Sequence, residues 1–315
     1  MKRLDVRQND AGQRLDKFLN KAFPALPASL LHKSLRKKRI KRNGGRAQGA
    51  DRLVEGDVIE LYLNDDLLEG RQERQAALLL QPRLDVVYED EHLLIADKPA
   101  GLLVHSDDSE SVHTLIAHIQ AYLYQKGEYN PLQEHSFAPA LCNRLDRNTA
   151  GLCLAAKTAE ALRDLNEIIR TRQMKKIYLA LVHGTPKPDE GVLTGYLTRN
   201  IEAATVSVSR RAQPGAKPIE TRYKVLRSAN GLSLLEIDLV TGRTHQIRAH
   251  FASIGHPLYG DGKYGREGRA RPQKHQALCA WQLRFEFEEY EGILSYLDKK
   301  QFYSAQTQIF DDFSR

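Results

Sequence analysis

Asp146 lies between Arg144 and Arg147 in NRLDRNTAGL, residues 143–152. Opposite charge favours the ionised form of a carboxyl group, and an ionised carboxylate can act as nucleophile or base. The same residues also suit an ordinary loop salt bridge, so this segment alone leaves both readings open. A second cluster, VTGRTHQIRAH at 240–250, sets Arg243, His245, Arg248 and His250 around Gly242 and Gln246. A third segment, YEDEHLLIADKPAGLLVH at 88–105, joins a run of acids to an apolar stretch and ends on His105.

Metal and nucleotide chemistry find little support here. His245 and His250 are five residues apart, a spacing that does not put both on one helix face, and no HExxH pattern surrounds them or His256. Cys142, Cys153 and Cys279 form no CxxC pair and lack zinc spacing. Their odd number argues against a disulfide framework and for a reducing compartment, with the thiols as small buried hydrophobes. Neither GxxxxGK[ST] nor GxGxxG occurs. No metal and no cofactor is expected.

The elements that must hold these segments follow from charge and periodicity. The 315 residues contain 41% hydrophobic and 28% charged residues, enough apolar material for a core, and the length suggests two domains. The net charge is +7 and the pI about 9.2. Residues 1–63 hold 15 Lys and Arg against 7 Asp and Glu, a net of +8; residues 64–315 hold 32 against 33, a net of −1. Residues 33–46, KSLRKKRIKRNGGR, carry eight basic side chains and no acid, among them Lys33, Arg36, Lys37, Lys38, Arg39, Lys41 and Arg42. Such a cluster binds polyanions, because each phosphate contact releases counterions. The alternative is a solvated basic face. The start, MKRLDVRQNDAG, lacks the apolar run of a signal peptide, and no run of about 18 apolar residues occurs. A cytoplasmic protein without a membrane span is expected.

Leu15, Phe18, Leu19 and Phe23 recur at helical spacing. Residues 28–35 predict a second helix with Ser29 as its cap, and residues 54–63 predict a turn and a strand. Residues 64–82 read as a linker, with room for a helical turn. Beyond it the pattern predicts strands over 85–88, 92–96, 102–104, 151–156, 177–182 and 205–209, and a pair, 223–226 and 232–240, turned at Asn230-Gly231. Helices are predicted over 112–124 and over 159–170, the second capped by Thr158. Strands outnumber helices without regular alternation. The fold class is therefore α+β, with a small helix-helix-strand domain (1–63), a linker (64–82) and a larger domain (83–315) on a mostly antiparallel mixed sheet.

Residues 12–63, through GQRLDKFL, the basic second helix and EGDVIEL, resemble the small RNA-binding domain first known in ribosomal protein S-four. Residues 83–290 resemble the RluA-type pseudouridine synthases. EDEHLLIADKPAGLLVH is similar to that family's first motif and NRLDRNTAGL to its catalytic motif, commonly HRLDxxTSG. KKIYLALVHG is similar to its tyrosine motif, and TGRTHQIRAHFASIGHPLYGD to its third. Asn143 stands where the family usually has His, Ala150 where it has Ser, and Cys279 in LCA where LHA is common.

The resemblance implies isomerisation of uridine to pseudouridine within an RNA chain. The N1–C1′ bond breaks, the uracil turns, and C5 bonds to C1′. Nothing is added or lost, so no cofactor is implied. It implies Asp146 as the essential carboxylate, attacking C1′ or taking the C2′ proton, with both roles open. Arg248 is implied as its ion-pair partner and Tyr178 as the ring stacked on uracil, assisting proton transfer at C5. Arg144 would enter the stack in place of the flipped uridine, with Arg147, Arg243 and His245 as further RNA contacts. Leu145 and Leu152 are read as packing residues. The implied partner is structured RNA, ribosomal of the large-subunit type, with transfer RNA and an inactive RNA-binding assembly factor as the competing readings. A monomer is expected.

Overall fold

A computed structural model describes residues 1–68, 80–107, 110, 112–131, 133–200, 203–265 and 275–311. The N-terminal module contains β1 (Lys2–Asp5), α1 (Leu15–Ala22), α2 (Ala28–Arg36), β2 (Ile40–Arg42), β3 (Gly45–Arg46) and β4 (Val58–Leu61). Its strands form an antiparallel sheet in the order β1-β4-β2-β3. Leu15, Phe18, Leu19, Phe23, Leu31 and Leu35 bury together, as their spacing predicts. Ser29 is not the cap of α2. Pro27 holds that place with φ −60°, and no side chain caps the turn. Proline has no N–H to satisfy and is pre-set for helix entry, so the helix begins before Ser29.

Charge marks the end of the basic stretch, but packing runs further. Leu68 is buried in the module's core, five residues beyond the point where the charge changes sign. Residues 65–67 make a single 3-10 turn, and most of the expected linker, residues 69–79, lies outside the described residues.

The rest is built on one large sheet. Its elements are β5 (Val86–Glu89), β6 (Leu93–Lys98), α3 (Leu115–Gln125), β7 (Ala140–Leu141), β8 (Ala150–Ala156), α4 (Ala159–Arg170), β9 (Met174–His183) and β10 (Glu190–Asn200), then β11 (Thr205–Ser209), β12 (Lys217–Ala229), β13 (Leu232–Asp238), α5 (Gln246–Ser253), β14 (Leu278–Phe285) and β15 (Gln301–Tyr303). The spatial order is β11-β10-β12-β13-β9-β14-β8-β6-β5, with β7 on β8 and β15 on β14. Among the described strands only β8 and β14 pair in parallel. The class is α+β with a mostly antiparallel sheet.

Alternation along the central strands sends side chains to two cores. Leu93, Ile95, Leu152 and Leu154 pack beneath Leu165 and Ile168 of α4, while Leu94, Ala96, Cys153 and Ala155 face the opposite side with Ile119 of α3 and Phe251 of α5. Both faces are covered, which is why β6 is buried along its whole length.

Several boundaries differ from the sequence reading. α3 starts at Leu115, because the Thr114 side chain accepts from the Ala117 N–H. Thr158 caps α4 as predicted. Residues 102–104 contribute one bridge, Leu103 to Thr114, instead of a strand. The predicted strand at 223–226 is the interior of the thirteen-residue β12. Asn230 and Gly231 both take positive φ, the twist that a two-residue hairpin needs.

β14 joins two halves. On one side lie β8, β6 and β5; on the other lie β9, β13, β12, β10 and β11. The parallel contact with β8 is very close at Gly151, which has φ +111°. A Cβ there would sit 2.3 Å from the Ala280 carbonyl oxygen, so only glycine fits where the Asp146 loop enters the sheet.

The module is docked on the larger unit by polar contacts. Buried Asp10 accepts from both the backbone N–H and the hydroxyl of Ser136, at 2.9 and 2.6 Å. Gln13 donates to the same hydroxyl at 2.6 Å. The Asn9 side chain accepts from the Ala159 N–H at the first turn of α4, at 3.0 Å.

Candidate active site

A cleft of about 780 Å³ opens over the middle of the sheet, lined by Asp146, Tyr178, Arg144, Arg243, His245 and Arg248 among others. Of the seven residues expected around the reacting uridine, the fold brings these six to one place and leaves Arg147 outside the lining.

Asp146 sits on the loop before β8. The loop is tied at its base: Asn143 accepts from the Leu154 N–H and donates to the Leu152 carbonyl. Asn143, where the family pattern has His, thus closes the loop onto the strand that follows. The Thr149 N–H donates to the Asp146 carbonyl, tightening the turn, and Gln276 donates to the Thr149 hydroxyl.

Arg248 projects from α5. Its Nη1 donates to Asp146 Oδ2 at 3.1 Å, while Nε and Nη2 donate to the two oxygens of Asp261 at 2.7 and 2.8 Å. Among the described residues Arg248 is the group that donates a hydrogen bond to the Asp146 carboxylate, through Oδ2, and Asp146 lines the cleft. Burial works against the Arg248 charge, but the Asp261 hydrogen bonds and the two carboxylates outweigh it and raise its pKa. Burial likewise works against the Asp261 carboxylate, and its hydrogen bond to Arg248 more than offsets that, holding its pKa low.

Tyr178 comes from β9 and is 5% exposed. It shares a buried cluster with Cys153, Ala180 and Ile237 and lines the cleft, and burial pushes its phenol pKa well up. Near neutral pH it is therefore an uncharged ring. Leu145 and Leu152 are buried, as packing residues should be.

The remaining predicted contacts divide. Arg144 and Arg243 are exposed at the cleft. Arg147 lies outside the lining, and its Nε donates to the Gly101 carbonyl at 3.3 Å. In the module, Lys33, Arg36, Lys37, Lys38 and Arg39 are exposed. Lys41 lies over the Tyr62 ring at 5.3 Å, and Arg42 is paired with buried Asp57 at 2.7 Å.

Three residues escaped the sequence reading. Lys98 ends β6 fully buried and donates to the carbonyls of Pro99, Leu102 and Arg147 at 2.8–3.0 Å. It ties the turn after β6 to the Asp146 loop, and burial pushes its ammonium down to about 8. A lysine ending an apolar run, LLIADK, just before proline was the available signal. Asp261 and Tyr264 lie in GHPLYGDGKYG, where spacing gives no hint of a partner on α5.

His250 and His256 have structural partners: the Nδ1 atoms lie 3.0 Å from the Thr221 hydroxyl and 2.9 Å from the His183 carbonyl oxygen. Burial pushes all three thiols up to about 12. Among the described residues no group of three His, Cys, Asp or Glu is arranged to hold a metal ion, and no helix is long and apolar enough to cross a membrane.

Residues 92–253 match the RNA pseudouridylate synthase family. The ribosomal large subunit pseudouridine synthase C of Vibrio parahaemolyticus is 31% identical over 268 residues, 83% of this chain and 79% of that protein. The ribosomal large subunit pseudouridine synthase D of Nitrosomonas europaea is 35% identical over 288 residues, 89% of this chain and 79% of that one. Among solved structures, human RNA pseudouridylate synthase domain containing 4 aligns with a TM-score of 0.55 at 24% identity, over 76% of this chain and 94% of its own, a likeness of fold.

Proposed function

The chain belongs to the RNA pseudouridylate synthase family, and from that premise we propose that it isomerises uridines of folded large-subunit ribosomal RNA. It is an RNA pseudouridine synthase, an isomerase. The observation that carries the assignment of roles is the Asp146 carboxylate, held on one oxygen by Arg248 at 3.1 Å and lining a cleft that Tyr178 also lines.

The reaction begins with extrusion of the uridine, which costs a few kcal/mol that contacts to the rearranged RNA must offset. Exposed Arg144 and Arg243 at the cleft are suited to supply them. Asp146 then acts at the sugar, on C1′ or on the C2′ proton, as the N1–C1′ bond breaks. A glycosidase needs a second carboxyl group as acid for its leaving group. Here the uracil stays bound and recombines, so one carboxylate suffices. Tyr178, neutral and buried, holds the detached uracil while it turns; C5 then bonds to C1′ as the Asp146–C1′ bond breaks or as Asp146 returns the C2′ proton, and the C5 proton leaves. N1 takes up a proton, so the product is an isomer of the substrate.

The basic module, residues 1–63, is the proposed grip on RNA phosphates, joined through residues 64–82 to a catalytic unit, residues 83–315. The relatives named for the large ribosomal subunit support ribosomal RNA as the substrate. A monomer working in the cytoplasm is part of the same proposal. The test is pseudouridine mapping of ribosomal and transfer RNA from cells with and without the gene. Loss of a ribosomal site restored by wild-type protein but not by Asp146→Asn is expected. Loss confined to transfer RNA would overturn the substrate assignment, and an unchanged map in both would overturn the catalytic one.

A further inference from the structure

We infer that Tyr264 sets the tautomer of His245, so that a neutral imidazole presents its Nε2–H to Asp146 as a positioning group. The inference rests on the pseudouridine synthase reading of the cleft and deepens it. His245 enters the sequence reading as an RNA contact; its surroundings suit a different task.

The Tyr264 hydroxyl has two neighbours. The Val206 backbone N–H donates to its oxygen at 2.9 Å, and His245 Nδ1 lies 2.8 Å away. A phenol has one proton to give. With Val206 donating, that proton has Nδ1 as its acceptor. Were Nδ1 protonated instead, two N–H groups would converge on one oxygen, and the phenol proton would lack an acceptor among the described residues. Nδ1 therefore accepts, and the ring proton sits on Nε2. Nε2 is 3.7 Å from Asp146 Oδ2, the same oxygen that accepts from Arg248.

Three further observations agree. The Tyr264 ring lies 5.1 Å from the Arg248 guanidinium and meets the His245 ring edge-on, so one side chain orients both neighbours of Asp146. His245 takes φ +53° at the entry to α5, a left-handed conformation that a non-glycine residue keeps where its surroundings fix it. Burial lowers the pKa of His245, with the Asp146 charge opposing, so the imidazole is neutral near pH 7. A neutral donor orients a carboxylate without adding a second full cation beside Arg248. Catalytic hydrogen bonds are often long before substrate binds, and at 3.7 Å the Nε2–H is within reach of Asp146 through a small side-chain rotation. Val206 belongs to β11, so the outer arm of the sheet is connected to Asp146 through two side chains.

The test uses full-length protein and two readouts. Nitrogen-15 NMR of histidine-labelled protein reports the tautomer of each ring, and the signal missing from His245→Gln identifies His245. Nε2–H with an accepting Nδ1 is expected in the wild type. Tyr264→Phe keeps the ring and removes the hydroxyl, and should give a mixture of tautomers with kcat down about tenfold and KM within twofold. His245→Gln places an amide N–H near the Nε2 position and should keep most activity; His245→Asn reaches only the Nδ1 position and should lose about as much as Tyr264→Phe. Nδ1–H in the wild-type spectrum overturns the inference, and that spectrum stands even if a variant misfolds. Equal kcat for the Gln and Asn variants also overturns it. An expected spectrum from protein that makes no pseudouridine on any RNA would sink the functional reading while leaving the tautomer assignment intact.

Discussion

The N-terminal module and the cleft both set arginine against aspartate, and they put the pair to different use. In the module, Arg42 meets Asp57, whose carboxylate also accepts from the Val54 N–H and the Asn43 amide. There the Asp57 carboxylate holds a turn. In the cleft, Arg248 is saturated on two nitrogens by Asp261 and reaches Asp146 through the third. A brace fixed at one end can position a group at the other. Exposed Arg7, Arg14 and Arg52 likewise donate to Gln133, Asp16 and the Gly12 carbonyl, whereas the exposed run Lys33, Arg36, Lys37, Lys38 and Arg39 suits a partner whose phosphates arrive from outside. The difference teaches that a charge's role follows from which of its hydrogen bonds are already satisfied.

The sharpest test of that contrast is Asp146→Asn. Pseudouridine formation should vanish, measured by nucleoside chromatography, while RNA affinity stays within about tenfold, since separate cations carry binding. Next is Asp261→Asn, which removes the brace and leaves a buried guanidinium short of its partner. Breaking such a pair costs about 3–5 kcal/mol, read by denaturant unfolding, and kcat should fall as Asp146 loses its orientation. The Asp261 pKa lies below its ordinary value of 3.8. Its contribution is therefore full above that value and is lost as pH falls through the lower folded one, so wild type and variant should converge in acid.

Replacing Lys33, Arg36, Lys37, Lys38 and Arg39 together by Gln tests the other side. If three or four phosphate contacts are lost, the log–log salt slope of RNA binding should fall by about 2–4, with little change in melting temperature. An unchanged slope would leave that surface as a solvated basic face. The smallest effect on RNA binding is expected for Arg42→Gln: the same salt slope, with about 1.5–3 kcal/mol of stability lost with one hydrogen bond between charged groups. A large slope change there would erase the distinction between brace and grip.

Much of this was legible in the sequence. Helical spacing gave the two module helices and α4, and Asn230-Gly231 gave the hairpin between β12 and β13. The motifs pointed to Asp146, Tyr178 and Arg248 as one site. What escaped has physical reasons. β14 is covered on both faces and shows no alternation of polar and apolar residues. β10 is largely solvent-washed, so hydrophobic pattern marks it weakly. Lys98 is a charge in a core position, which composition reads as surface. Asp261 acts through a partner thirteen residues away, and the bond depends on a turn that local pattern does not encode.

The place of β14 between β8 and β9 has a consequence for how the enzyme is made. A chain emerges from the ribosome N-terminus first, at roughly 5–20 residues per second. Asp146 leaves with the β8 half, and Tyr178 and Arg248 leave with the β9 half, yet the strand that seams the halves ends at Phe285. Until then both halves carry an unpaired apolar edge, a hazard for aggregation and a natural handle for chaperones. A chain truncated before β14 would carry Asp146, Tyr178 and Arg248 on two unjoined halves and is expected to make no pseudouridine.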